Sequence, residues 1–265
     1  MLTTRRFWPF LNTVRQFSVE KSTFQTKRIK LVENWKPPKL DFSVNIEIAT
    51  KNDADLTYNF MLDDFRKTEP MCASSEMEKD ERSFIFKDVN DRCIDSGLSL
   101  LMFKDDAELI GIRMTSVARM PKKKFTKEFV ILPDYKELID AQPATNRKEK
   151  RISAMIELLS EFGPKFIPTT VENYICFELI SIKEEFRCGN LATRLVEETL
   201  KLASAQGLQY VTAFCTAKSS QRVCSKLGLK TMLELPFNQY LDDGQICFEN
   251  TPDGSTGAKL MVGKF

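Results

Sequence analysis

The run from Tyr174 to Ile182 constrains the fold more than any other stretch of this chain, because it is apolar except at Glu178 and Ser181 and is followed at once by a sharp turn. An apolar run of that length bounded by a turn reads as a buried central strand. From Leu191 the pattern changes to helical spacing, with Leu191, Leu195, Leu200, Leu202 and Ala203 on one side and Gly207 just past the end. A second strand, Tyr210-Val211-Thr212-Ala213-Phe214-Cys215, comes next. A short helix follows, capped by Ser219 or Ser220 and terminated by Gly228. Strand, helix, strand, helix in this order predicts a sheet covered by helices.

The rest of the chain supplies the other layers. Val44-Asn45-Ile46-Glu47-Ile48-Ala49 alternates with period two and reads as the first strand. A helix capped by Asn52 or Asp53 carries Leu56, Phe60, Met61, Leu62 and Phe65 up to Pro70, and a further helical turn or two fills the segment from Cys72 to Asn90. Leu98–Phe103 and Leu109–Thr115, joined by a charged link, form an antiparallel hairpin. Ile152, Met155, Ile156, Leu158, Leu159 and Phe162 give one more helix an apolar face, which we read as the wall of an enclosed small-molecule pocket. Two strands, around Met232–Phe237 and Leu260–Phe265, close the chain, with the turn signal Asp242-Asp243-Gly244 between them. The expectation is a mixed α/β fold without internal repeats, preceded by a leader: residues 1–37 as a basic segment and 38–265 as one domain.

Histidine is absent, which excludes Ser-His-Asp and Cys-His hydrolases and every metal site or proton relay built on imidazole. Acid–base work falls to carboxylates, hydroxyls, thiols or amines. The seven cysteines are odd in number, widely spaced and free of C-x-x-C pairs, so neither a zinc site nor a disulfide framework is expected, and a reducing, intracellular compartment is. A net charge of +2 gives no field for gripping nucleic acid. No stretch reaches the roughly 18 apolar residues of a membrane span.

That charge is unevenly spread. Residues 1–36 hold eight basic and two acidic side chains, a net of +6, so the remainder carries −4. Before Glu20 there is no acid, and Arg5, Arg6 and Arg15 are mixed with Phe7, Trp8, Phe10, Leu11, Val14 and Phe17. The pattern matches a mitochondrial presequence, with Arg15-Gln16-Phe17-Ser18 resembling its cleavage site; a disordered basic arm or the leader of the first strand, in a cytoplasmic protein, is the other reading.

The chemistry concentrates where the central strand meets its helix, Ile182-Lys183-Glu184-Glu185-Phe186-Arg187-Cys188-Gly189-Asn190-Leu191-Ala192-Thr193. A glycine-containing turn that runs directly into a helix aims unpaired N–H groups and the positive helix end at one point, as a phosphate or pyrophosphate requires. The spacing fits neither the dinucleotide nor the P-loop motif. It resembles the acetyl-CoA loop [RQ]-x-x-G-x-[GA] of the GNAT acetyltransferase superfamily. Arg187 and Ala192 match, the inner glycine falls one place early at Gly189, and Asn190 stands where glycine is usual. Asn tolerates the left-handed backbone that such a turn needs.

The resemblance continues along the chain. Ser219–Leu229 looks like the family's next helix, ending Lys226-Leu227-Gly228-Leu229, with Cys224 where many members carry the tyrosine that protonates the departing thiolate. Phe65-Arg66-Lys67-Thr68-Glu69-Pro70-Met71 is similar to the F-x-x-x-E-P-[LM] stretch of invertebrate, nematode-type arylalkylamine N-acetyltransferases, whose glutamate is a general base. Thr216 and Ser220 fall where those enzymes carry serines implicated in catalysis, and Gly244-Gln245-Ile246-Cys247-Phe248 looks like their late G-x-x-x-F strand. These matches cover residues 44–265.

The resemblance implies a GNAT-like single domain with a mostly antiparallel central sheet of about seven strands flanked by helices. It implies an N-acetyltransferase that uses acetyl-CoA as co-substrate, needs no metal, and acts on a small primary amine by direct attack on the thioester. Glu69, Thr216 and Ser220 would be catalytic. Arg187, Cys188, Gly189, Asn190, Leu191, Ala192 and Thr193, with the N–H groups near Ile180 and Ile182, would hold the cofactor. Other roles stay open: Glu69 as a helix-end residue, Ser220 as a helix cap, Cys224 as core, Lys122-Lys123-Lys124 as a solvated loop, and the protein as a non-catalytic acyl-CoA-binding or regulatory module or a protein-lysine acetyltransferase.

Overall fold

The computed structural model describes residues 28–79, 83–123 and 125–265, so residues 1–27 of the basic leader, with the whole presequence pattern and its cleavage site, and Lys124 of the lysine run lie outside the described residues. Eight strands form one sheet in the order β1-β2-β3-β4-β5-β6-β10-β7. They are β1 (Lys30–Trp35), β2 (Val44–Ile48), β3 (Leu100–Lys104), β4 (Glu108–Arg119), β5 (Asn173–Ile182), β6 (Tyr210–Cys215), β7 (Lys230–Pro236) and β10 (Gly257–Lys264). The short strands β8 (Leu241–Asp242) and β9 (Gln245–Ile246) pair separately across the turn at Asp243 and Gly244, both with positive φ. Every neighbouring pair of the large sheet is antiparallel except β5 and β6, which are parallel.

The strands are apolar on both faces because both faces are covered. Leu101, Ile112, Met114, Leu179 and Leu260 point to one side, against Phe86 of α4 (Phe84–Cys93) and Met155 and Leu159 of α6 (Arg147–Ser160). Leu100, Met102 and Ile110 point to the other, against Leu191 and Leu195 of α7 (Leu191–Ala205). Val211, Ala213 and Cys224 of α8 (Lys218–Lys226) continue that second layer.

The first sequence-expected helix is a composite. Thr50 opens it, its N–H and its hydroxyl both donating to Asp53 Oδ2 at 2.8 Å, and Asp53 stands at the N-cap position of the α-helix, one of the two residues expected there. A 3-10 turn leads into α1 (Ala54–Phe60), a π turn (Met61–Phe65) and α2 (Arg66–Thr68). At Glu69 the backbone is extended, and Pro70 starts α3 (Pro70–Ser74). The short α5 (Lys136–Asp140) precedes α6.

Three expectations are corrected. The sheet begins one strand earlier than Val44, because β1 pairs with β2 from within the segment assigned to the leader, and this edge strand brings the expected sheet of about seven strands to eight. Neither Ser219 nor Ser220 caps α8; Ala217 occupies that position, and Asp253 Oδ2 accepts from Lys218 N at 2.7 Å instead. The apolar face of α6 does not line a pocket: Ile152, Met155 and Leu159 are core, and Phe125 and Phe129 meet Phe162 edge-on. No helix among the described residues is long and apolar enough to cross a membrane.

Candidate active site

The parallel pairing of β5 and β6 covers only Ile175↔Val211, Cys176↔Thr212 and Phe177↔Ala213. Just beyond it, the β4–β5 register slips between Met114↔Leu179 and Thr115↔Phe177, leaving Glu178 as an extra residue. A bulge bends its strand, and this one coincides with the end of the parallel ladder. The Glu178 carboxylate holds the bulge in place, accepting from Ser116 Oγ at 2.6 Å and pairing with Arg92 of α4. The outcome is a fork between the C-terminal ends of β5 and β6.

Backbone direction on the fork follows from one bond. Lys183 N donates to Ile110 O at 2.9 Å, toward β4. N–H groups alternate along a strand, so Ile180 and Ile182 turn theirs to the β6 side. The Ile182 carbonyl obeys the same rule, accepting from Arg187 Nε at 3.0 Å on that side. Ile180 and Ile182 therefore present N–H groups to the fork.

Glu69 and Thr216 meet at the mouth. Thr216 follows the last residue of β6, and its hydroxyl donates to Glu69 Oε1 at 2.7 Å. The second carboxylate oxygen, Oε2, accepts from Cys72 N at 2.7 Å, so Glu69 also caps α3. Both side chains are buried. Burial pushes the Cys72 thiol well up, and the Glu69 carboxylate beside it adds to the shift. The two readings of Glu69, helix end and reactive carboxylate, coexist in one geometry. Ser220 is not part of that contact. Its hydroxyl donates to Ala217 O at 2.8 Å, and it is a hydrogen-bond neighbour of the Cys215 thiol.

On the other side of the fork, Gly189 and Asn190 both have positive φ, 64° and 61°, and lead into α7. Asn190 is the N-cap residue in left-handed conformation, yet its side chain makes no cap hydrogen bond, and the first turn of α7 carries no acidic residue. The first-turn N–H groups, at Leu191, Ala192 and Thr193, are free of a capping side chain, which suits an anion. Gly189 is required by a second constraint: a Cβ there would lie 2.9 Å from Leu40 Cδ1 and 3.0 Å from both Pro37 Cβ and Pro38 O. Cys188 is exposed. Arg187 is exposed but anchored, donating from Nε to Ile182 O and from Nη2 to Thr68 Oγ1, the latter at 2.7 Å. It thereby ties the turn to the segment that carries Glu69.

Sequence reasoning missed Arg113 on β4. Its signal was a lone charge inside the apolar run Leu109–Thr115. The guanidinium lies 3.6 Å from the centroid of the Phe177 ring, at the last rung before the fork, and Nη1 donates to Leu179 O at 3.3 Å. Also unexpected is the contact of Cys215 with Cys224, 3.6 Å between sulfurs. Cys215 donates, so its thiol titrates higher, while the Cys224 thiolate is favoured by that bond and by Arg113. No group of three or more Cys, Asp or Glu side chains among the described residues is arranged to hold a metal ion.

No family model matches the chain. Its fold does match solved structures. Arylalkylamine N-acetyltransferase 2 from Aedes aegypti superposes with a TM-score of 0.69 at 20% identity, over 83% of this chain and 98% of that one. A polyamine N-acetyltransferase of Drosophila melanogaster gives 0.65 at 14%, over 84% and 100%. The C-terminal condensation domain of Ebony, solved with β-alanyl-dopamine, gives 0.59 at 15%, over 84% and 100%. The mixed, mostly antiparallel sheet flanked by helices is thus the fold that this chain shares with these insect N-acetyltransferase structures.

Proposed function

We propose that this chain is an acetyl-CoA-dependent N-acetyltransferase of small primary amines, with Glu69 as general base. The observation that carries the reading is the hydrogen bond from Thr216 to Glu69 at the mouth of the fork. It joins a buried carboxylate to a hydroxyl beside the N–H groups of β5, the elements that transfer from a thioester to an amine requires.

An alkylamine is protonated near neutral pH and must lose a proton before it attacks, and with no histidine in the chain a carboxylate is the available base. Glu69 takes that proton directly or through one water. As the amine nitrogen bonds to the thioester carbon, the carbonyl oxygen becomes an oxyanion, and the N–H groups of Ile180 and Ile182 receive it; one such donor is worth about 3 kcal/mol. When the carbon–sulfur bond breaks, the electron pair goes to sulfur. Thr216 can give its hydroxyl proton to that thiolate while recovering one from Glu69, which returns the carboxylate to its starting state, free to take the second proton from the acylated nitrogen and release it to water. The linkage between base and hydroxyl makes proton uptake and release one relay. Ser220, bonded to Ala217 O, contributes by holding the first turn of α8 beside Cys215.

The pyrophosphate of acetyl-CoA belongs at the uncapped start of α7, with Gly189 and Asn190 supplying the left-handed turn and Arg187 and Cys188 its approach. The substrate class, arylalkylamine or polyamine, is proposed from the names of the structures that share the fold. The test is release of free thiol from acetyl-CoA by the purified protein against a panel of both amine types. Release that depends on amine supports the enzyme; binding of acetyl-CoA without release by any amine supports the non-catalytic module.

A further inference from the structure

Arg113 is almost wholly buried, 3% exposed, and two of its three nitrogens, Nε and Nη2, have no hydrogen-bond partner. These two nitrogens form the same edge of the guanidinium, the one that grips two-point or anionic acceptors. Nη1, on the opposite corner, is already used by Leu179 O. Burial lowers the Arg113 pKa to about 10, so the group is still a cation at neutral pH. A buried cation with an empty donor edge is costly unless an anion arrives.

The surroundings do not provide one. Glu178, a carboxylate within its electrostatic reach, is engaged by Arg92 and Ser116. The other titratable neighbours are the thiols of Cys93, Cys215 and Cys224. Cys93 is held protonated by burial. Both thiols at the fork, Cys215 and Cys224, feel Arg113 as a force toward the thiolate form. Burial holds Cys93 protonated, the hydrogen bond to Cys224 and burial hold Cys215 so, and the sulfur that gains charge here is Cys224, on α8, helped by the Cys215 hydrogen bond and by Arg113.

We infer that Arg113 is a catalytic residue that binds the CoA sulfur as it leaves, its Nε–Nη2 edge stabilising the thiolate formed when the carbon–sulfur bond breaks. This rests on the reading that the fork accepts acetyl-CoA. The charge appears only during reaction, so the contact is worth more in the transition state than in the bound thioester. That difference explains how a free donor edge is retained in a buried position.

Two measurements on the full chain test it. The first follows the ultraviolet absorbance of thiolate during pH titration of CoA bound to the protein, with the protein alone subtracted. Bound CoA should ionise at lower pH on the wild type than on Arg113→Met. If CoA does not bind, the proposed function itself fails and takes this inference with it; if CoA binds and ionises alike on both, only this inference fails. The second is kinetic. Arg113→Met should lower kcat by about 10², the usual loss for one preorganised donor, with KM for acetyl-CoA unchanged and a melting temperature no lower than wild type. Arg113→Lys, which keeps the charge, should recover part of the rate. A Met variant with full kcat, or one whose loss tracks a lower melting temperature and is not relieved by Lys, overturns the inference. So does a wild-type preference for acyl thioesters bearing a carboxylate that Arg113→Met abolishes, since the edge would then serve the acyl group.

Discussion

Thr216 Oγ1 and Glu69 Oε1 stand 2.7 Å apart although 147 residues separate them in the chain. The contact joins the end of β6 to the extended residue between α2 and α3, and it exists because β5 and β6 stop pairing at Phe177 and Ala213. Removing the hydroxyl leaves a buried carboxylate oxygen without its donor. Thr216→Val should therefore cost about 1–3 kcal/mol in stability and reduce kcat at least tenfold, while Thr216→Ser stays near wild type in both. Thermal melting and amine-dependent thiol release check the pair. Equal rates for Val and Ser variants would remove the hydroxyl from the relay.

Asn190 bears the left-handed turn at φ 61° and offers no side-chain cap to α7. Asn190→Gly should preserve the turn and leave KM for acetyl-CoA equal to or below that of the wild type. Asn190→Val should raise KM and lower stability by about 1–2 kcal/mol, the cost of a left-handed conformation in a non-glycine residue. Steady-state kinetics with varied acetyl-CoA separates the two variants. Identical KM values for Gly and Val would move the anion site away from this turn.

Much of this architecture is readable from the chain alone. The period-two alternation at Val44–Ile48, the continuous apolar run that becomes β5, and the helical spacing from Leu191 each name an element that the fold contains. The edge strand β1 escapes because Lys30, Glu33 and Asn34 dilute its alternation and its pairing with β2 shifts register twice. Glu178 reads as an interruption of a strand, and only the register across β4 reveals it as the bulge that opens the fork. Glu69 and Thr216 come from motif resemblance, and no local spacing brings two residues so distant in the chain together. Arg113 is visible as a charge in an apolar run, but its free donor edge depends on where Leu179 O and Phe177 lie.

Away from the fork, Asp242 accepts from Arg151 Nε at 2.7 Å and Arg147 Nε at 2.8 Å and also pairs with Arg147 Nη2, which holds its carboxyl down to about 2. Its folded-state value lies below the unfolded one. The contribution is therefore complete above about pH 4 and is lost as pH falls toward 2, and a shift of this size is worth on the order of 2 kcal/mol. Asp242→Asn should be less stable than wild type at pH 7, with the gap narrowing as pH falls through that window. Chemical denaturation at pH 7 and pH 3 gives the comparison; a constant gap would mean that Asp242 is not titrating as a paired carboxylate.

The most direct measurement of the account as a whole is thiol release from acetyl-CoA by the wild type and by Glu69→Gln, each with the best amine of the panel, between pH 7 and pH 9.5. Glutamine keeps the shape and still accepts a hydrogen bond from Cys72 N but cannot take a proton. The account predicts that the variant binds acetyl-CoA normally, turns over about 10² times more slowly at pH 7, and regains part of that loss at high pH as the amine deprotonates in solution. A variant with the wild-type rate and pH profile contradicts it and leaves Glu69 as the cap of α3 alone.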